Sequence, residues 1–380
     1  MHDAPKCKAV GLWAVATCLE FEYFADVGTL PDGRSLTKQE LNLQALQWDP
    51  TMAYALNDIA NTVPKPETLL LPDGRALTNK ELVLEALRIS NGKYPAFFSD
   101  LATYLDVDES VCIYDGRTMT RIELCEEAVR RAPSSALLLH ILSCMLPTAT
   151  STATLPDGRA LTRREILCEA LRQDPSFPDA YNSLGRCLYV SGEVVQLPDG
   201  RFMGAFDLFI EALKFDPYHA GTLNSLALRM QPNQSVHLGD GRVMGPKELL
   251  LQALKSRKHR GALYSNLAYF LLPGETVTLL DGRVMSAVQL HIESVRCNPS
   301  SEAYQDLCRA LPCDFAWSRH VHSFVFSDNL RTSALFATLL LGLQRLETDG
   351  LLLPAHLSML EDMLEGWTWR ESRGLRQLMS

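Results

Sequence analysis

Seven arginines recur along this chain, each closing the same tripeptide: Asp32-Gly33-Arg34, Asp73-Gly74-Arg75, Asp115-Gly116-Arg117, Asp157-Gly158-Arg159, Asp199-Gly200-Arg201, Asp240-Gly241-Arg242 and Asp281-Gly282-Arg283. A row of guanidinium groups has two chemical uses. It can recognise phosphate or carboxylate through bidentate hydrogen bonds, or it can lock each turn against its neighbour by pairing with aspartates across units. The adjacent aspartates cancel much of the charge, which favours the structural use. Cys308, Cys313, His320 and His322 form the other group of candidate ligands. Their spacing matches no paired zinc pattern, and Cys308 falls in a helical stretch, so no metal site is expected. P-loop, H-E-x-x-H, G-x-S-x-G and Rossmann fingerprints are missing. Neither catalysis nor a cofactor is expected.

Composition narrows the class further. The chain has 380 residues, 47% of them apolar and 21% charged, with a formal net charge of -9. That length means two domains or one elongated array, with ample material for a core. The acidic balance disfavours a nucleic-acid surface, which usually carries a basic stripe. Ten cysteines without a C-x-x-C pair fit buried free thiols, such as Cys125, Cys168, Cys187 and Cys308, in a reducing compartment. The apolar run after Lys6 and Lys8 has the outline of a short signal peptide, but it overlays the helix that precedes every later turn and reads as that helix. The run from Thr332 to Leu343 is too short to span a bilayer. The cytoplasm is the default location.

The elements that must position the arginines follow from the period. Successive tripeptides lie 41, 42, 42, 42, 41 and 41 residues apart, which indicates a solenoid whose units bury their apolar faces only by stacking. Around Arg201, Pro198 presets φ, Asp199 favours the bend and Gly200 takes the left-handed position. Val195, Leu197 and Phe202 flank that turn and predict a small β-hairpin. Tyr114 and Gly239 stand where other copies have proline, so Asp-Gly carries the turn.

A helix start follows each hairpin. Thr37 with Glu40, Thr78 with Glu81, Thr120 with Glu123, Thr162 with Glu165 and Ser286 with Gln289 read as capping boxes. Gly204 with Asp207 and Gly245 with Glu248 are weaker versions, the latter helped by Pro246. Apolar residues then recur at helical spacing, as in Leu208, Ala212 and Leu213, or Leu249, Ala253 and Leu254. Asp49-Pro50, Asp174-Pro175 and Asp216-Pro217 stop the helix. A second amphipathic helix follows, with Tyr181, Leu184 and Leu188 on one face and Gly185 allowing close helix contact. Two junctions depart from this pattern, Ser90-Asn91-Gly92 and the basic residues 255–261, and are expected to be looser or to touch something.

From Ala180, Tyr181, Leu184, Gly185 and Gly192 through Ala212, Leu213 and Pro217, the unit resembles a tetratricopeptide repeat of about 34 residues, with a hairpin of roughly eight inserted between its two helices. Sel1-type repeats are the alternative label, and the Asp-Pro stop favours the first. The resemblance implies an all-α fold: a right-handed α-solenoid of helix pairs over residues 1–312, with a helical cap or docking segment at 313–380. Such arrays bind a protein or peptide segment in a groove lined by the first helix of each unit. One residue past the aromatic position of that helix, about 100° round from the core face, stand Asn57, Ser99, His140, Asn182, Asn224, Ser265 and Gln305. This polar row resembles the asparagine ladders of some family members and suits the backbone of an extended peptide. Asn61, Arg186 and Arg309 lie one turn on and can add further contacts. The expected function is a noncatalytic scaffold or adaptor that binds an extended polypeptide. The alternatives are a single-stranded nucleic-acid binder using the hairpin arginines, and an enzyme-associated adaptor docking through residues 313–380.

Overall fold

The computed structural model describes residues 4–21, 27–29, 34–63, 67–190, 192–256, 260–298 and 301–310. The expected helical cap at 313–380, and Asp32 and Gly33 of the first turn, lie outside the described residues. The architecture is all-α, built from consecutive packed helix pairs. Along the chain run α1 (Ala4–Phe21), α2 (Lys38–Trp48), α3 (Ala53–Ala60), α4 (Asn79–Ser90), α5 (Pro95–Tyr104), α6 (Arg121–Arg131), α7 (Ala136–Met145) and α8 (Arg163–Gln173). They are followed by α9 (Pro178–Cys187), α10 (Ala205–Phe215), α11 (Ala220–Arg229), α12 (Pro246–Ala253), α13 (Arg260–Tyr269), α14 (Ala287–Cys297) and α15 (Ser301–Ala310). The described strands form seven separate two-stranded antiparallel hairpins, each joining the two helices of a pair. The chain divides into two compact units, Met1–Ser225 with Leu238–Asp240, and Leu226–His237 with Gly241–Ser380.

Each hairpin is made by its turn chemistry. In the fifth, Val195 pairs with Met203 and Val194 with Gly204. The Gly200 amide donates to the Leu197 carbonyl at 2.9 Å, and the Leu197 amide to the Arg201 carbonyl at 2.8 Å. Gly200 has φ +89°, the left-handed conformation that a Cβ would strain. Asp199 fixes the bend by accepting from the Arg201 amide at 3.0 Å. The residue before each described turn, Leu71, Ile113, Leu155, Leu197, Leu238 or Leu279, is buried and pins the hairpin to the helices. Burial of such a side chain stabilises by about 1.5–3 kcal/mol. Leu280 is a further position, beside Tyr114 and Gly239, where proline gives way.

The capping boxes form as the spacing predicts. Glu81 accepts from the Thr78 amide at 2.8 Å, and Glu165 from the Thr162 amide at 2.8 Å. Helices α2, α8 and α10 stop before Asp49, Asp174 and Asp216. The Ser90-Asn91-Gly92 junction is not loose. Asn91 takes a left-handed φ of 49°, and the Gly92 amide returns to the Leu87 carbonyl at 2.9 Å, a tight helix end. Tyr114 packs directly over Gly92, leaving no room for a Cβ there. Arg131 ties the two together by donating to the Gly92 carbonyl and to the Tyr114 hydroxyl.

The first unit stacks α1 to α10, with each helix packed on the next. Phe97, Phe98, Leu124, Leu139 and Phe209 are fully buried at its centre. The N-terminal apolar run is α1, which packs on α2. Its Trp13 meets Tyr54 at 5.1 Å between ring centroids and donates to Asp58 at 2.8 Å. Charged side chains at the start of α8 reach the ends of the first helices on both sides: Arg163 donates to the Ser143 carbonyl of α7 at 3.0 Å, and Arg164 to the Cys187 carbonyl of α9 at 2.7 Å. In the second unit, α12 packs on α13, α13 on α14 and α14 on α15.

Candidate functional site

The polar row lies on the flanks of the first helices. Asn57, Ser99 and Asn182 are buried, while His140, Asn224 and Ser265 are half-buried. The Gln305 side chain lies outside the described residues. A turn of about 100° from the core face brings three members of the row, Asn57, His140 and Ser265, against the next first helix rather than leaving them on an open surface. Asn57 Nδ2 donates to Asp100 at 2.7 Å, His140 Nε2 lies 2.9 Å from Ser183 Oγ, and Ser265 Oγ donates to Asp306 at 2.7 Å in the second unit. In each pair the partner stands one residue further along the following first helix. Sequence reasoning found the row but missed these partners, although the same period would have placed Asp58, Asp100, Ser183 and Asp306 in a parallel file.

Two members of the row keep an unused acceptor. The carboxamide oxygens of Asn57 and Asn182 are buried without a hydrogen-bond partner, in side chains only 6% and 7% exposed. Such a group costs about 1–3 kcal/mol relative to a satisfied one. Asn182 sits beside Gly221, which offers no side chain of its own. Asn61 is exposed and accepts from the Tyr104 hydroxyl at 2.7 Å. Arg186 is exposed, and Arg309 pairs with Asp306 at 2.9 Å.

The hairpin arginines pair inside their own unit rather than across units. Arg75, Arg117, Arg159, Arg201 and Arg283 each grip the aspartate two residues back and a glutamate ten residues on, in the helix after the hairpin: Glu85, Glu127, Glu169, Glu211 and Glu293. Each glutamate is met in turn by a cation three residues further along its helix, Arg88, Arg130, Arg172, Lys214 or Arg296. The short turn makes intra-unit pairing the nearer option, because it folds the guanidinium back over its own second helix. Arg34 and Arg242 also have partners, but the position ten residues on from each is a glutamine, Gln44 or Gln252. Burial pushes the Glu211 carboxyl up, and Lys214 and Arg201 pull it below its ordinary value on balance. Asp199 is held low first by the Arg201 amide and then by its side chain.

The four residues considered as metal ligands cannot be compared in space, since the Cys308 side chain, Cys313, His320 and His322 lie outside the described residues. Among the described residues no group of three or more histidine, cysteine or carboxylate side chains is arranged to hold a metal ion. Cys125 and Cys187 are buried free thiols, and Cys168 is half-buried. No described helix is long and apolar enough to cross a membrane. Residues 257–259 of the basic stretch lie outside the described residues.

Comparison with known proteins adds little to this geometry. No family model matches the chain, and no curated protein matches it. Among solved structures, yeast Tom70 is similar at 16% identity with a TM-score of 0.44, over 88% of this chain. This chain spans 58% of the Tom70 chain. A likeness of that degree carries no functional argument, and the side chains of the first-helix face must carry it instead.

Proposed function

We propose that this chain is a noncatalytic interaction scaffold of the tetratricopeptide type, with a hairpin inserted in each repeat, and that it takes an extended polypeptide along the first helices of its units. The unpartnered carboxamide oxygens of Asn57 and Asn182 carry this reading. A half-turn about χ2 exchanges Oδ1 and Nδ2, so Asn182 can offer an incoming backbone either an acceptor or a donor. Buried polar groups without partners are uncommon in folded proteins, and a ligand backbone is one way to satisfy them. Five of the hairpin arginines are engaged by carboxylates from their own units, which weighs against phosphate as their target.

The test is selection from a displayed library of random linear peptides on the intact, folded chain. Enrichment of peptides whose binding protects the amides of α3, α5, α7 and α9 from hydrogen exchange supports the proposal. Failure to enrich any peptide, or protection confined to the hairpins, overturns it.

A further inference from the structure

One side-chain cluster on the first-helix face carries chemistry beyond peptide recognition, although its His140 belongs to the polar row. Cys144 stands one helical turn after His140 on α7, at an exposed position. His140 Nε2 lies 3.7 Å from Cys144 Sγ and 2.9 Å from Ser183 Oγ on α9. The edge of the Phe177 ring packs against the imidazole, with centroids 5.7 Å apart, and helps fix its orientation. The sulfur lies in the last turn of α7, where exposed carbonyls would ordinarily disfavour a thiolate. Arg163 offsets that effect by donating to the carbonyls of Ser143 and Leu146 at the same helix end.

We propose that Cys144 is a modification site, a thiol poised by His140 to react with hydroperoxides ahead of the other described cysteines of this chain. The thiolate attacks the outer peroxide oxygen. An S–O bond forms as the O–O bond breaks, sulfur gives up two electrons to become a sulfenic acid, and the leaving alkoxide or hydroxide takes the proton from the His140 imidazolium. Burial pushes the Cys144 thiol up, but His140 draws it below the ordinary thiol value on balance. Burial, and His219 after it, work against charge on His140, and the Cys144 sulfur with help from Asp179 raises it on balance. Two of the other exposed cysteines are placed differently. Cys112 donates to the carbonyl of Ile113, and Cys297 is pushed up by burial and by Glu293. Low-pKa, accessible thiols are the ones that oxidise first.

The full chain would be treated with limiting hydrogen peroxide in the presence of a cyclic 1,3-dione that traps sulfenic acids, and the adducts mapped by mass spectrometry. The expected result is labelling of Cys144 before Cys7, Cys112 and Cys297. His140→Gln, checked for an unchanged melting temperature, should slow labelling of Cys144 several-fold and leave the other three alone. Labelling of Cys144 no faster than Cys112 overturns the proposal even without a variant. An unchanged Cys144 rate in folded His140→Gln also overturns it. No peptide ligand enters this test, so its outcome is independent of the proposed groove function.

Discussion

Arg201, at the tip of the fifth hairpin, lies 3.0 Å from Glu211, ten residues on in α10. Glu211 is nearly buried while Arg201 is about half exposed, so the pair spans the boundary between core and solvent. Screening limits such a pair to about 0.5–1 kcal/mol. A double-mutant cycle of Arg201→Ala and Glu211→Ala should return a coupling energy in that range by chemical denaturation. Coupling near zero would mean that the turn holds itself and that the arginine is idle.

The sixth unit offers the complementary gain. Gln252 occupies the place of the clamp glutamate, and its Nε2 is buried without a partner. Gln252→Glu would present a carboxylate to Arg242 and to Lys255, in the pattern that five other units share. The denaturation midpoint should rise, by about 0.5–1 kcal/mol in stability. A fall would show that the local backbone of this unit holds Arg242 elsewhere.

Close helix contact at Gly185 admits a sharper test. A Cβ at this position would lie 2.6 Å from the ring of Phe209, which is fully buried in α10. Gly185→Ala should therefore cost about 1–3 kcal/mol through overpacking, despite alanine's better helix propensity. Gly185→Ala combined with Phe209→Leu should recover part of that loss. A neutral single substitution would mean that α9 and α10 separate without cost.

Acid should loosen the second hairpin clamp in a defined window. Arg88 holds the Glu85 carboxyl down against the opposing effect of burial, and Arg75 adds to the pull, so that it titrates at about 2 rather than 4.5. The folded state then binds fewer protons than the unfolded one. This contribution is present above pH 4.5 and is lost as the pH falls toward about 2. Melting temperature measured across that range should fall less steeply in Glu85→Gln than in the unmodified chain. Equal slopes would place the acid sensitivity in other carboxylates.

The local elements were legible because each is set by chemistry within a few residues. Asp-Gly turns, Thr-x-x-Glu caps and Asp-Pro stops all name their own geometry, and Gly185 announced its close contact. What the sequence concealed required knowing which helix lies beside which. Tyr114 and Gly92 look like two unrelated departures until the fold stacks one on the other, with Arg131 bridging them. The arginine clamp was misjudged for the same reason, since a spacing of ten residues across a turn carries no obvious period. The polar row was found by phase, yet phase alone could not show that Asn57 faces Asp100 on the next first helix.

The most direct measurement of the groove reading compares Asn182→Ala with the intact chain, by melting temperature and by calorimetric Kd for a library-selected peptide. Because Asn182 Oδ1 has no internal partner, the substitution should leave stability within about 0.5 kcal/mol, since loss of an unsatisfied group offsets the small cavity. Peptide affinity should fall by about three- to tenfold, the worth of one backbone hydrogen bond. Unchanged affinity in a chain that melts at the same temperature would contradict the assignment of this face as the binding surface.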